Sequence, residues 1–172
     1  MSSHHTIKRF GMHYGSKLNP SAKFLKKTAK DLARDQVEDG ARDLLIAYAF
    51  ENICHKHISE IKSSLSIGGI HSVSSSFYKK GNKQETGAQI DLLLDRNDQV
   101  INIFEIKFYS KAFTISKSYA QTLKNKLIVF EENTKTKKYL SLILITTFDI
   151  TPNEYSLDLI DQVLTIDDLF KS

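Results

Sequence analysis

Residues Ala88–Phe108 read AQIDLLLDRNDQVINIFEIKF. Two apolar runs flank the polar triplet Arg96-Asn97-Asp98, which suits a tight turn. The stretch therefore predicts a β-hairpin with strands Ala88–Asp95 and Gln99–Phe108. Alternation sets Ile90, Leu92 and Leu94 on one face of the first strand, and Asp91 and Leu93 on the other. On the second strand Phe104 and Ile106 oppose Ile103, Glu105 and Lys107. Both faces are mostly apolar, the pattern of central strands covered on both sides. With Asp95 paired to Gln99, Asp91 lies opposite Ile103 and diagonal to Glu105, and Lys107 follows on the same face.

Two carboxylates and an ammonium on one buried patch require compensation. Carboxylates ~4 Å apart repel by roughly 4 kcal/mol at an effective dielectric of about 20. A divalent cation removes that repulsion, so either carboxylate could be lost without loss of metal-free stability. Few, hard oxygen ligands suit Mg²⁺ (or Mn²⁺), which keeps several waters and accepts substrate phosphate oxygens. Lys107 is placed to hold an attacking water or to stabilise charge developing on phosphoryl oxygens. An ion pair of Lys107 with Glu105 or Asp91 at a sheet end would explain the same residues without chemistry. Glu-x-Lys is a weak signal by itself: eight glutamates and twenty lysines in 172 residues make about one by chance. The second copy, Glu60-Ile61-Lys62, falls on a helix and reads as a solvated face.

Around the hairpin, Ala41–Leu65 predicts a largely buried helix, with Leu44, Leu45, Ala47, Tyr48, Phe50, Ile53, Ile58 and Ile61 at helical spacing. Gly68-Gly69 ends it. Glu51 falls on a face expected to pack on the sheet, where a carboxylate needs a cation or a donor. Ile70–Tyr78 reads as a strand and Lys79–Gly87 as a polar loop. Ser116–Glu132 reads as a basic helix with Tyr119, Leu123, Leu127 and Phe130 inward, and Tyr139–Thr147 as a buried strand. Short helices at Asn153–Asp161 and Ile166–Phe170 flank a small strand, Gln162–Thr165. The fold class is α/β, in the order α-β-β-β-α-β, with a central mixed sheet flanked by helices. Residues 1–39 read as a basic N-terminal arm or adaptor, with a basic amphipathic helix at Ser21–Val37, and residues 40–172 as the domain proper.

Three segments together resemble a known family: Tyr48–Ile58 (YAFENICHKHI), Gly87–Arg96 (GAQIDLLLDR) and Ile101–Phe108 (INIFEIKF). They are similar to the PD-(D/E)XK nuclease superfamily, with its restriction-endonuclease-like core. More closely, they resemble the carboxy-terminal nuclease-like domain of certain prokaryotic AAA-type ATPases, over roughly residues 42–170. The resemblance implies that Asp91 and Glu105 ligand the metal together with the Ile106 backbone carbonyl. It also implies that Lys107 is the catalytic lysine, Glu51 the first-helix acid and Gln121 the polar residue of the later helix. Such relatives carry an ATPase module ahead of this domain. Here Gly11–Lys17 lacks the spacing of a phosphate-binding P-loop. The expectations are thus a standalone nuclease, or a nuclease-fold domain without activity that binds nucleic acid or regulates an ATPase in trans.

The net charge of +4 suits a polyanionic partner, most simply DNA. Lysines crowd the segment after the hairpin, and Lys111, Lys117, Lys124 and Lys126 are expected to follow a phosphate backbone beside Gln121. Tyr109, Phe113 and Tyr119 lie among them and are either stacking platforms for bases or core. A single cysteine, Cys54, excludes an internal disulfide and a cysteine-based zinc cluster, and reads as core. His55 and His57 point about 200° apart on a helix and cannot chelate one metal. No apolar run is long enough to span a bilayer. The expected location is cytoplasmic, and a homodimer is compatible with all of this.

Overall fold

The chain runs β1 (Thr6–Arg9), α1 (Asp39–Lys56), α2 (Ile58–Ser64), β2 (Ser72–Lys79), β3 (Ala88–Arg96), β4 (Val100–Lys107), α3 (Lys117–Thr134), β5 (Tyr139–Thr146), α4 (Glu154–Leu159), β6 (Gln162–Thr165) and a final 3₁₀ turn (Ile166–Phe170). These elements come from a computed structural model, which describes residues 6–9, 39–82 and 85–170. From α1 to β5 the order is the α-β-β-β-α-β anticipated above. The long helix expected at Ala41–Leu65 is two helices, broken at His57, whose backbone (φ −111°, ψ 33°) leaves the helical region. Within 1–39, Thr6–Arg9 pairs with the sheet and Asp39 opens α1. The expected helix at Ser21–Val37 and the segment Gly11–Lys17 lie outside the described residues.

The strands form one six-stranded mixed sheet in sequence order, antiparallel from β1 to β4 and parallel from β4 to β6. The hairpin turns one residue later than expected. Asn97, Asp98 and Gln99 connect β3 to β4, and Gln99 takes a left-handed backbone (φ 66°), a favoured closure for a three-residue loop. Asp95 therefore pairs with Ile101 rather than Gln99. A shift of two residues keeps every side chain on its expected face. Lys138 ties the turn to β5, donating to Asp95 and to the Arg96 carbonyl at 2.6 Å each.

Each sheet face is buried by its own layer. On one side Phe50 and Cys54 of α1 and Ile61 of α2 pack on Leu92, Leu94, Phe104, Ile106, Ile143 and Ile145. On the other, Leu123, Val129 and Phe130 of α3 pack on Phe77, Ile90, Leu93, Ile101, Ile103 and Leu142. Each such side chain contributes roughly 1.5–3 kcal/mol when fully buried. Helix α3 starts where the Ser116 hydroxyl accepts from the Tyr119 N–H at 3.2 Å, and stops at left-handed Lys135. Asn153 and Ser156 cap α4 reciprocally. Asp168 accepts from the Thr165 N–H and hydroxyl, closing the last turn. Among the described residues no helix is long and apolar enough to cross a membrane.

Candidate active site

The core clusters expose an irregularity in β3. Ile90 belongs to the α3 side and Leu92 to the α1 side, so strict alternation fails between them. The pairing with β2 gives the reason. Ser75 faces Leu93 and Phe77 faces Ile90, so two residues of β3, Asp91 and Leu92, lie across from Ser76 alone. That is a β-bulge, which bends a strand and re-aims a side chain. The expected common face of Ile90, Leu92 and Leu94 is corrected accordingly, and Asp91 sits at the slip.

The same place is a fork in the sheet. The β3–β4 ladder runs from Asp95–Ile101 to Leu92–Phe104 and ends there. Beyond it β3 continues beside β2 through Ile90, Gln89 and Ala88, whereas β4 continues beside β5 through Glu105, Ile106 and Lys107. Asp91 on one prong and Glu105-Ile106-Lys107 on the other thus border the opening. Ile106 buries its side chain in the α1-side core. Phe108, just after β4, meets Phe50 of α1 edge to face at 6.0 Å, which holds α1 against this end of the sheet.

Glu105 follows Ile101 and Ile103 toward α3 and is 6% exposed. The Tyr119 hydroxyl donates to its Oε1 at 2.9 Å, Lys126 Nζ to its Oε2 at 2.7 Å, and Lys107 Nζ stands 3.4 Å from Oε1. The ion pair of Lys107 with Glu105, the plainer alternative raised by the sequence, is therefore present, although the Lys107 side chain remains 43% exposed. Burial together with the Glu105 charge drives the Tyr109 and Tyr119 phenols above their usual pKa.

Asp91 is partly buried and accepts from Gln89 Nε2 at 2.7 Å. Its charge acts across the fork on α1. The Glu51 carboxyl is held above the ordinary carboxylate range by burial first, then by Asp91; Lys107 pulls it down, Glu105 up and Lys126 down again. Burial lowers His55, and Asp91 partly offsets this. Glu51 is thus within electrostatic reach of Asp91, Glu105 and Lys107, and Lys107 is paired with Glu105. Glu105 turns toward α3, onto Tyr119 and Lys126, whereas the bulge takes Asp91 out of the strict alternation that would have set it on the same face. Among the described residues no three His, Cys, Asp or Glu side chains converge closely enough to hold a metal ion.

The residues assigned to a phosphate track divide. Lys111 and Lys117 are exposed. Lys124 pairs with Asp158 at 2.7 Å, and Gln121 donates to Asn125 at 3.0 Å. Lys126 turns inward onto Glu105. Tyr109 stacks on Phe113 with centroids 3.9 Å apart, and Phe113 meets Tyr119 edge to face, so these rings pack on each other. Sequence reasoning placed Tyr119 in the core and Lys126 on the surface. Their spacing of seven, with buried Leu123 between, puts both on one helix face, and that was the available signal. Glu60-Ile61-Lys62 lies on α2, where Lys62 donates to the Ile70 carbonyl. No protein-family description, curated protein or solved structure matches the chain.

Proposed function

We propose that this chain is a metal-dependent nuclease that hydrolyses phosphodiester bonds in DNA, built on a PD-(D/E)XK-type core. The observation that carries it is the fork: a bulged strand presents Asp91 beside the parted strand bearing Glu105-Ile106-Lys107, and Glu51 of α1 is electrostatically coupled to all three charged groups. Bulges are over-represented next to active sites, where they re-aim a side chain or terminate pairing.

The donor chemistry suits Mg²⁺. Its usual protein ligands are one or two carboxylates, with water and substrate phosphate filling the rest, so the two carboxylates at the fork suffice for it. Asp91 and Glu105, with the Ile106 backbone carbonyl, would hold the ion. Once bound, it would polarise the phosphoryl group and offset developing charge. Lys107, the more exposed of the two lysines at Glu105, is the group able to reach a substrate phosphate or orient water. Glu51, raised in pKa by burial and by Asp91, holds a proton to higher pH than an ordinary carboxyl. Exposed Lys111, between β4 and α3, and exposed Lys117, the first residue of α3, supply phosphate contacts.

A second reading, a nuclease-fold domain without chemistry that binds nucleic acid or serves an ATPase in trans, draws on one observation. Glu105 already has two ammonium groups and a hydroxyl around it, leaving little demand for another cation. Incubating the protein with single-stranded, nicked and duplex DNA in Mn²⁺ separates the two. The nuclease reading expects cleavage that chelator stops. Absence of cleavage on every substrate, with DNA binding retained, would favour the second.

A further inference from the structure

We infer that Lys126 of α3 is a positioning residue of this site: it holds the Glu105 carboxylate in place and sets how tightly the site binds a divalent cation. This rests on the proposed metal-dependent reading. Lys126 Nζ lies 2.7 Å from Glu105 Oε2, closer than Lys107 at 3.4 Å from Oε1. Its side chain is 24% exposed against 43% for Lys107, and its charge also acts on Glu51. Lys126 is therefore committed to the carboxylate, whereas Lys107 stays available to solvent and substrate.

The charge balance gives the consequence. Asp91 and Glu105 supply two negative charges, and Lys107 and Lys126 supply two positive ones, so these four groups balance. A divalent cation enters a neutral cluster and is repelled at short range by an ammonium in a partly desolvated place, where charges a few ångströms apart interact strongly. A carboxylate offers about four lone-pair positions, and three donors surround Glu105, so room for a ligand bond remains while Lys126 stays. Affinity is thereby held low. Tyr119, at Oε1, fixes the carboxylate without adding charge.

The test is calorimetric titration of the full chain with Mn²⁺ alone, in the absence of nucleic acid. Lys126→Met should tighten Mn²⁺ binding by on the order of tenfold or more. Lys126→Arg should keep the wild-type affinity. Lys124→Met, which removes an equal charge from the outer face of α3, should change it less than about twofold, since exposed charges are screened. Glu105→Gln should abolish binding in the wild-type and Lys126→Met backgrounds alike. If Lys126→Met does not fold, Lys126→Gln keeps a hydrogen-bond donor and should tighten binding in the same direction. A Lys126 variant that binds no more tightly than Lys124→Met overturns the inference and leaves the nuclease reading intact. Failure of wild type and every variant to bind Mn²⁺ overturns both.

Discussion

Replacing Glu105 with alanine should destabilise the protein in the absence of metal, whereas replacing Asp91 with asparagine should not. Glu105 is 6% exposed and receives donors at 2.7, 2.9 and 3.4 Å. Its removal leaves the Tyr119 hydroxyl and two ammonium groups without their acceptor. Breaking a fully buried ion pair costs about 3–5 kcal/mol. Here the lysine side chains keep 24% and 43% exposure and can turn to water, so the expected loss is about 2–3 kcal/mol. In a chain of this size each kcal/mol moves Tm by about 2–4 °C, for a fall of roughly 4–12 °C. Asp91→Asn still accepts from Gln89 and removes a charge that opposes ionisation of Glu51, so its stability should stay within about 0.5 kcal/mol of wild type or rise. Glu105→Ala with Lys126→Met should recover part of the loss, because no ammonium is stranded on α3. The assay is thermal unfolding by circular dichroism at pH 7 in EDTA. Glu105→Ala melting at or above wild type would refute the reasoning, as would Asp91→Asn falling equally far.

Glu51→Gln should stabilise the metal-free protein at neutral pH. The folded-state pKa of Glu51 lies above its unfolded value, so ionisation penalises the folded state as pH rises from the ordinary carboxylate pKa through the raised one. The advantage of the glutamine variant should be absent below that window and complete above it; denaturant melts from pH 3 to 8 would show a flat difference if this is wrong. Neutralising Lys111 and Lys117 should weaken DNA binding whatever the sequence and reduce the log–log salt slope on duplex by roughly 0.9 for each phosphate no longer neutralised, measured by fluorescence anisotropy. Neutralising Lys124, already paired with Asp158, should change the slope less. Cys54 is 0% exposed, and burial drives its thiol pKa upward, so thiol reagents should label it only at the rate of unfolding; fast labelling of native protein would contradict its place in the core.

The hairpin, the α-β-β-β-α-β order and the burial of both sheet faces were legible because each rests on local periodicity. Glu51, Asp91, Glu105 and Lys107 were legible as charged residues inside apolar runs. The bulge at Asp91 was not, because a strand with apolar residues on both faces has no polar side to betray a slipped register. For that reason the strict alternation expected of β3 fails at Asp91, although Glu51 lies within electrostatic reach of Asp91, Glu105 and Lys107. The loop shifted by one residue because Gln99 accepts a left-handed backbone that composition alone does not assign to glutamine. The break at His57 was hidden by apolar residues that continue at helical spacing across it. The metal-free stability expected of both carboxylate variants also divides, because Glu105 has partners on α3 that the hairpin sequence cannot reveal. Those partners, Tyr119 and Lys126, come from a helix well beyond Lys107 in the chain, and only tertiary packing brings them in.

The most direct test of a metal-dependent nuclease centred on the fork is the single-turnover cleavage rate of labelled DNA, measured against Mg²⁺ concentration for wild type, Asp91→Asn and Lys107→Ala. Wild type should cleave with a rate that rises and saturates with Mg²⁺. Asp91→Asn should lose cleavage at all concentrations while melting like wild type. Lys107→Ala should lose at least about 100-fold in rate with little change in DNA affinity, because its ammonium acts where charge develops. Cleavage by Asp91→Asn at the wild-type rate, or none by wild type at any Mg²⁺ concentration on any DNA, would contradict the account.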